Sequence, residues 1–302
     1  PEIRADYRYV LCDFEDDDFS ATLRRSGFRQ ILAKDTFVHH FGGVTLNEVR
    51  TKRGNYKSLI TMRPVFQKKW GVDPWRSRGH LPCFNQVLEN FQVREMPVRV
   101  LFLEPVFGEG LLSIRNYFRR LTKEVVIDAI VTNERYLMEA GYLANSVKLV
   151  ASLDHLPDVV RNSYDMIVFG EFLNILPFSD IMSLFKKVYG LLKPHGFIYS
   201  ALLNYNSFEH VMENLPNQVP RFIYQDILSL NGEKIFPIPR LLRSLEKEFR
   251  SECVQIGYCE RTHHFDKIDH FEQVVEQILE TADEDIDVLH YLLTGDVVVF
   301  NV

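Results

Sequence analysis

The chain has 302 residues, a length typical of two domains. With 46% hydrophobic and 25% charged residues it is ordinary for a globular protein, and a core of this size needs neither disulfides nor a structural metal. The 35 basic and 41 acidic residues give a net charge of −6, which argues against a nucleic-acid partner. The four cysteines have neither metal-ligand nor paired spacing, so we expect reduced thiols.

Membrane and export signals are absent from the sequence pattern. No apolar run approaches the ~20 residues that a bilayer span needs. The first residues lack the charged and then apolar pattern of a signal peptide. We therefore expect a cytoplasmic protein with no transmembrane segment. Because the chain opens at Pro1 in charged, strand-like sequence, we also expect that the natural protein begins further upstream.

The first region, residues 1–75, contains four consecutive acids, Glu15 to Asp18, before an amphipathic run that ends at Gly27. Charge alone predicts a solvated acidic turn ahead of a surface helix. A strand-like stretch follows and leads into Val38, two histidines and a pair of glycines. Further on, residues 55–74 read as a helix that ends in Lys-Trp-Gly.

This order of motifs resembles the closing part of family 2 glycosyltransferases with the GT-A fold. The resemblance implies that Asp16 is the base that deprotonates the acceptor hydroxyl, with Glu15 and Asp18 shaping the site; neighbouring carboxylates raise its proton affinity. His39 or His40 would lie near the metal-diphosphate end of the donor. The family's Asp-x-Asp cation site lies earlier in the chain, so we expect a divalent cation and a nucleotide-sugar only if an upstream donor half exists.

Residues 76–97 open with a Gly-, Pro- and Arg-rich stretch that predicts a linker, and a short helix could follow it. Residues 98–302 then alternate strand-like and helix-like segments. Near-continuous apolar strands between amphipathic helices predict a doubly wound α/β domain, with a largely parallel sheet covered on both faces. The last strand is expected to be antiparallel to its neighbour. The seven predicted strands are 98–103, 124–131, 146–152, 165–170, 196–203, 252–259 and 296–302.

Ligands of doubly wound sheets bind at the carboxyl ends of the strands, where the strand order reverses. The loop after the first predicted strand, 103–110, contains two glycines that let the backbone turn tightly. A Gly-x-Gly pair alone is a weak signal, because a plain strand-to-helix turn explains it equally. The later stretch 164–204 is more specific: it has an acid at a strand start, Glu171 to Leu176, a helix, and Leu-Lys-Pro-x-Gly before the fifth strand.

That order resembles class I S-adenosylmethionine-dependent methyltransferases over about 98–302. The resemblance implies S-adenosylmethionine as cofactor, with Glu104, Gly108 and Gly110 lining its methionine side. Asp128 is the nearest acid for the ribose hydroxyls, since a carboxylate accepts two hydrogen bonds; another alignment places Ile130 there. Asp154 matches the acid that holds the adenine amino group.

The methyl-transfer pocket would follow the fourth strand. Glu171 and Asn174 are the candidate catalytic residues there, and a residue of 204–214 could serve instead. Two departures from the family pattern bear on this function: Val106 replaces the first loop glycine, and Ile175 replaces a frequent histidine. The chain is therefore expected to be either a methyltransferase domain joined to part of a glycosyltransferase, acting on a sugar or glycan, or a non-catalytic module that serves as a scaffold for the glycosyltransferase. The remaining histidines, such as His195, are expected to be solvated.

Overall fold

The computed structural model describes the following residues: 14–31, 33, 35–39, 58–71, 81, 84–89, 91–153, 156, 163–170, 172–203, 229–230, 233–234, 238–249, 255–260 and 295–301. Contacts divide the chain into two compact units, Pro1–Ser77 and Arg78–Val302. Among these residues, no helix combines the length and the apolar character that crossing a membrane requires.

In the first unit, two helices are described: α1 (Glu15–Arg25) and α2 (Ser58–Trp70). α1 begins with four acids in its first turn and ends with two arginines in its last, an arrangement that the helix dipole favours at both ends. Phe14 precedes α1 and is buried, with its ring 6.0 Å from the ring of Phe66 in α2. The acidic segment therefore begins a helix that packs through its aromatic neighbour against α2.

The strands of the second unit are β1 Val98–Leu103, β2 Val125–Val131, β3 Ser146–Leu149, β4 Tyr164–Val168, β5 Leu192–Leu203, β6 Ser229–Leu230, β7 Glu233–Lys234, β8 Gln255–Glu260 and β9 Gly295–Asn301. Seven of them form one sheet with the strand order β3-β2-β1-β4-β5-β9-β8. β1 to β5 are parallel to one another, which confirms the predicted doubly wound parallel arrangement. β9 lies between β5 and β8 and is antiparallel to both, as expected for the final strand. A separate pair, β6 and β7, is also antiparallel.

Two hydrophobic clusters cover the two faces of this sheet. One contains side chains of α3, α4 and α5; the other contains side chains of α6 and α7. α4 and α6 follow strongly amphipathic sequence, so each buries one face against strands that alternate between the two clusters. The helices are α3 Phe84–Leu88, α4 Glu109–Arg120, α5 Leu137–Gly141, α6 Phe178–Tyr189 and α7 Ile238–Phe249, with 3-10 turns at Glu134–Tyr136 and Phe172–Ile175.

Part of the segment predicted as a linker, 76–97, belongs structurally to the second unit. Phe84 and Leu88 of α3 are buried in the same cluster as α4, and the Phe84 ring meets that of Tyr199 edge-on at 5.5 Å. The apolar side chains of this segment recur at helical spacing, so a helix can bury them together against the sheet. This burial stabilises the packed helix over a free linker, which would leave the same apolar surface in water.

The strand order reverses between β1 and β4. From β1 the chain proceeds to β2 and β3 on one side of the sheet, and it then returns to form β4 on the other side of β1. The loops that leave the carboxyl ends of β1 and β4 therefore diverge, which opens a crevice at this edge.

Candidate functional site

The loop after β1 is tied to the segment after β2 through Glu104. The backbone N–H of Glu104 donates to the carbonyl of Ile130 at 2.9 Å, and its carboxylate Oε1 accepts from the backbone N–H of Thr132 at 2.6 Å. The side chain is only 4% exposed. Burial raises the pKa of this carboxyl above its ordinary value, and its hydrogen bonds to Thr132 offset only part of the effect. Glu104 thus holds the loop after β1 against the segment after β2, on one side of the crevice.

The same loop has a left-handed backbone at every second residue: φ is 57° at Glu104, 50° at Val106 and 83° at Gly108. Gly108 precedes α4 and donates its N–H to the Pro105 carbonyl at 2.8 Å. A Cβ on Gly108 would lie 3.1 Å from Leu143 Cδ1, so glycine is required here by backbone conformation and by packing against the region of α5.

Val106 and Gly110 are both buried in this loop region. Gly110 lies in the first turn of α4. Val106 is a β-branched residue with a positive φ, which is a true outlier that costs on the order of 1–3 kcal/mol. The backbone has therefore kept the conformation that glycine would adopt at position 106, although the side chain is larger.

Asp128, the acid predicted for the ribose, lies three residues before the end of β2 at Val131. Its carboxylate accepts from the Tyr164 hydroxyl at 2.9 Å and from Ser146 Oγ at 2.5 Å, and it pairs with Arg99 at 3.5 Å. These partners belong to the amino-terminal parts of their strands. The geometry therefore argues against a ribose role for Asp128, because its partners lie toward the opposite edge of the sheet from the cofactor loops.

The last position of β2 is occupied by Val131, which is fully buried, and the alternative candidate Ile130 is buried as well. The next polar groups are Thr132 and Asn133. The Asn133 side chain accepts from the N–H of Arg135 at 3.0 Å and caps the 3-10 turn that follows. At the end of β2, the chain thus offers a hydroxyl and an amide where the resemblance predicts a carboxylate.

A cavity of about 300 Å³ lies among the segments that follow β2, β3 and β4. This volume is at the lower end of the range for small-ligand pockets. Its walls combine polar groups with apolar ones, including Thr132, Ser152, Phe172, Leu176, Asp180 and Leu184. Sequence reasoning missed these residues, although Thr132 directly follows a predicted strand and could have been found by that rule.

The segment after β4 begins with Gly170, whose φ of 52° turns the chain out of the sheet. The 3-10 turn Phe172–Ile175 follows, and within it Asn174 is 3% exposed and its side chain has interactions within the fold. Glu171 and Asp154, which were predicted for the acceptor and the adenine, lie outside the described residues. Their roles stay predictions.

The opposite edge of the sheet, at the amino ends of the strands, holds an ion-pair network. Lys193 Nζ lies 3.0 Å from Asp165 Oδ2 and 3.2 Å from Glu95 Oε2, and Asp165 also accepts from the backbone N–H of Arg99 at 2.8 Å. Burial lowers the pKa of Lys193, but the two carboxylates more than offset it and the net shift is upward. A second cavity of about 380 Å³ adjoins this network and is lined in part by Arg94 and His195.

In the first unit, the acidic run divides into exposed and buried members. Asp16 and Asp17 are exposed, whereas Asp18 is 1% exposed. Asp18 accepts from Lys69 Nζ at 2.8 Å and from Trp70 Nε1 at 2.7 Å. The predicted catalytic Asp16 is therefore open to solvent at the start of α1, while the Asp18 carboxylate holds α1 to α2.

Metal binding finds no support in the described part of the chain, where no three His, Cys, Asp or Glu side chains come together to hold an ion. His39, one of the two predicted metal-side histidines, is exposed and its ring lies 6.3 Å from that of Phe37. His40 lies outside the described residues.

No family model matches this sequence, and no curated protein matches it. Several solved structures are similar in fold. A SAM-dependent methyltransferase from Archaeoglobus fulgidus matches with a TM-score of 0.49 and 16% identity over 78% of this chain and 97% of that one. A complex between the Haloferax volcanii Trm112 methyltransferase activator and a putative methyltransferase matches with a TM-score of 0.44 and 16% identity, over 82% of this chain and 95% of that one. The plantazolicin methyltransferase BpumL, solved with SAH, matches with a TM-score of 0.43 and 14% identity, over 85% of this chain and 96% of that one. The structural neighbours of this chain are thus SAM-dependent methyltransferases, and none of them bears on its substrate.

Proposed function

We propose that the second unit is a class I S-adenosylmethionine-dependent methyltransferase domain that acts on a sugar or a related group in glycan assembly. The observation that carries the proposal is the cavity at the carboxyl ends of β2, β3 and β4, together with the bond from Thr132 to Glu104 that ties the β1 loop to its rim. Sheets of this order bind their ligands at such an edge.

The described residues fit the nucleoside part of the cofactor. Phe172 supplies an aromatic wall for a base, and Thr132, Ser152 and Asp180 supply hydrogen-bonding groups around it. Asp154 is proposed to hold the adenine amino group. Glu104, Gly108 and Gly110 are proposed to face the methionine end.

The reaction needs two things from the protein. The cofactor supplies a methyl group activated on a sulfonium; the protein aligns an acceptor oxygen or nitrogen with it and, for a hydroxyl, removes the proton. We assign proton removal to Glu171 and alignment of the acceptor to Asn174. Glu171→Gln should then lower turnover while the affinity for S-adenosylhomocysteine stays unchanged.

Titration calorimetry of the chain with S-adenosylhomocysteine tests the proposal. We expect saturable binding that Phe172→Ala weakens by about tenfold or more, since stacking of a base on an aromatic ring contributes about 1–3 kcal/mol. Phe249→Ala is the matched control. Both phenylalanines are 8% exposed in the same core cluster, but Phe249 packs on Phe185 and Tyr189. Absence of binding at millimolar ligand, or equal loss in both variants, would contradict the nucleoside site.

A non-catalytic module that serves the glycosyltransferase as a scaffold is the second candidate. The absence of an acid at Val131, the last residue of β2, and the valine at position 106 favour it. The same titration separates the two candidates, because a scaffold has no need to bind the cofactor product.

We further propose that residues 1–75 are the closing segment of a family 2 glycosyltransferase. Asp18 supports this, because it joins the two motifs on which the resemblance rests, the acidic run and the Lys-Trp pair, by bonds to Lys69 and Trp70. In the longest encoded polypeptide that contains this chain, Asp16→Asn should abolish sugar transfer, whereas Asp17→Asn, also exposed in the same turn, should not. An upstream sequence without an Asp-x-Asp site would contradict the proposal.

A further inference from the structure

The cavity at the amino ends of the strands has no part in the function proposed above. It measures about 380 Å³, a volume that admits a small organic ligand. Its lining comes from two segments of the second unit that are remote in sequence, 91–95 and 193–195, together with Asp165 of β4. The nucleoside cavity lies at the other edge of the sheet, so a ligand here would bind independently of the cofactor.

A bulge in β5 forms one wall of this cavity. Between its first and second pairs with β4, β5 contains residues 193–196 where β4 has only Asp165. The first three of these residues line the cavity. A Cβ on the fourth, Gly196, would lie 2.9 Å from the Tyr164 carbonyl oxygen, so the chain returns to the sheet through a position that requires glycine. Bulges re-aim side chains and are frequent next to functional sites.

His195 lies within the bulge in a left-handed conformation, with a φ of 71°. This conformation is uncommon for residues other than glycine, and such residues concentrate at ligand-binding sites. The residue is exposed, and it lines the cavity. Glycine would satisfy the backbone at this position without strain, so the turn itself does not account for the imidazole.

The hydrogen-bonding groups of the lining leave donors in excess. Lys193 Nζ donates to both carboxylate oxygens of Asp165, at 3.1 and 3.0 Å, and to Glu95 Oε2 at 3.2 Å. This leaves Glu95 Oε1 as the one carboxylate oxygen of the lining without a partner among the described residues. In the same part of the chain, Arg94 and His195 have no hydrogen bond or ion pair. A guanidinium presents five N–H groups in a fork that matches a carboxylate or a phosphate, so the unused capacity suits an oxyanion.

Apolar surface adjoins these donors, because Phe91 and Pro194 also line the cavity. The Phe91 ring meets that of Phe197 edge-on at 5.2 Å, which fixes its position. We propose that this cavity binds a small organic oxyanion. Arg94 and His195 hold its carboxylate or phosphate group, and Phe91 packs against its organic part.

Calorimetry at constant ionic strength tests this with benzoate, phenyl phosphate and benzyl alcohol, which share a ring and differ in the polar group. We expect saturable binding of at least one anion, with a dissociation constant on the order of 1 mM, and none of the alcohol. The preferred anion identifies the group as carboxylate or phosphate. Arg94→Gln should weaken the binding by about tenfold, since it removes a charge-assisted hydrogen bond. Arg119→Gln, at an exposed arginine of α4, is the matched control and should leave it unchanged.

His195→Gly separates ligand binding from folding. It should weaken the anion by about threefold or more without lowering the midpoint of thermal unfolding, because glycine adopts this φ freely. Phe172→Ala should leave the anion affinity unchanged, so failure of the nucleoside site and failure of this site are distinguishable. No saturable binding of either anion up to about 10 mM, equal binding of the alcohol, or unchanged affinity in Arg94→Gln or His195→Gly would overturn the proposal. A loss in His195→Gly that accompanies a lower midpoint would overturn it as well.

Discussion

Replacing Glu104 with glutamine separates the charge of this side chain from its hydrogen bond. The residue is 4% exposed, and its carboxylate Oε1 accepts a hydrogen bond from the Thr132 N–H. Glutamine keeps an acceptor oxygen at that position but has no charge to bury. Glu104→Ala removes the acceptor as well, so it leaves the partly buried Thr132 N–H without this partner.

The magnitudes follow from this difference. Loss of the acceptor in Glu104→Ala should cost about 1–3 kcal/mol for the Thr132 N–H alone, before the cavity is counted. For wild type, burial raises the folded-state pKa of Glu104 above 4.5, its unperturbed value. The folded state then holds its proton longer than the unfolded state as the pH rises. The free energy of unfolding of wild type therefore falls as the pH rises from about 4.5 through the folded-state pKa of Glu104. Glu104→Gln has no proton to release at this position, so its stability does not show this decrease.

Chemical unfolding at several pH values measures these effects. Hydrogen exchange of the β1 and β2 amides reports the unfolding of the second unit. We expect Glu104→Gln to match wild type near pH 4 and to exceed it at pH 8, whereas Glu104→Ala is less stable than Glu104→Gln at both. Glu124→Gln, an exposed change just before β2, should be nearly neutral throughout. A gain for Glu104→Gln that is independent of pH, or an equal loss in both Glu104 variants, would refute the reasoning.

Three further substitutions test the packing around these sites. Asp18→Ala should destabilise the first unit by about 2–3 kcal/mol, because the bonds from Lys69 and Trp70 to the Asp18 carboxylate are both lost. Fluorescence of Trp70 and Trp75, the only two tryptophans of the sequence and both in this unit, reports its unfolding. Gly108→Ala should lower the free energy of unfolding by more than about 1 kcal/mol, because the φ of 83° is strained for alanine and the new Cβ would lie close to Leu143. Thermal unfolding measures this change, and an unchanged midpoint would contradict it. Tyr164→Phe should lower the free energy of unfolding by about 1.5 kcal/mol at neutral pH, because the bond to Asp128 is lost. Burial and then that carboxylate raise the pKa of the Tyr164 hydroxyl in the folded state above 10.0, its ordinary value, so the unfolded state ionises first. Wild type should therefore lose stability as the pH rises above about 10, and Tyr164→Phe should lose less over the same range.

Periodicity in the sequence predicted the elements that build the sheet. β1, β2 and β4 are apolar runs that a single charged residue interrupts, and α4 and α6 repeat apolar residues at helical spacing, so their local patterns agree with their final environments. The parallel arrangement followed from their alternation along the chain.

The candidate site was predicted less well, because it depends on where each strand ends. Asp128 was predicted for the ribose as the acid nearest the end of the second predicted strand, but the register with Leu101 and Ser146 puts it in the middle of β2. The bond between Asp18 and Trp70 spans 52 positions, and no local pattern indicates such a pairing. Residues that line the cavity come from separate segments, and tertiary packing brings them together.

The central claim is that the cavity bounded by Thr132, Ser152 and Phe172 holds an adenine nucleoside. A crystal structure of the chain grown with adenosine tests it directly. The account predicts density for the base against Phe172 at the carboxyl ends of the strands. Density found instead in the cavity beside Arg94 and His195 at the opposite edge of the sheet, with the Phe172 cavity empty, would contradict it.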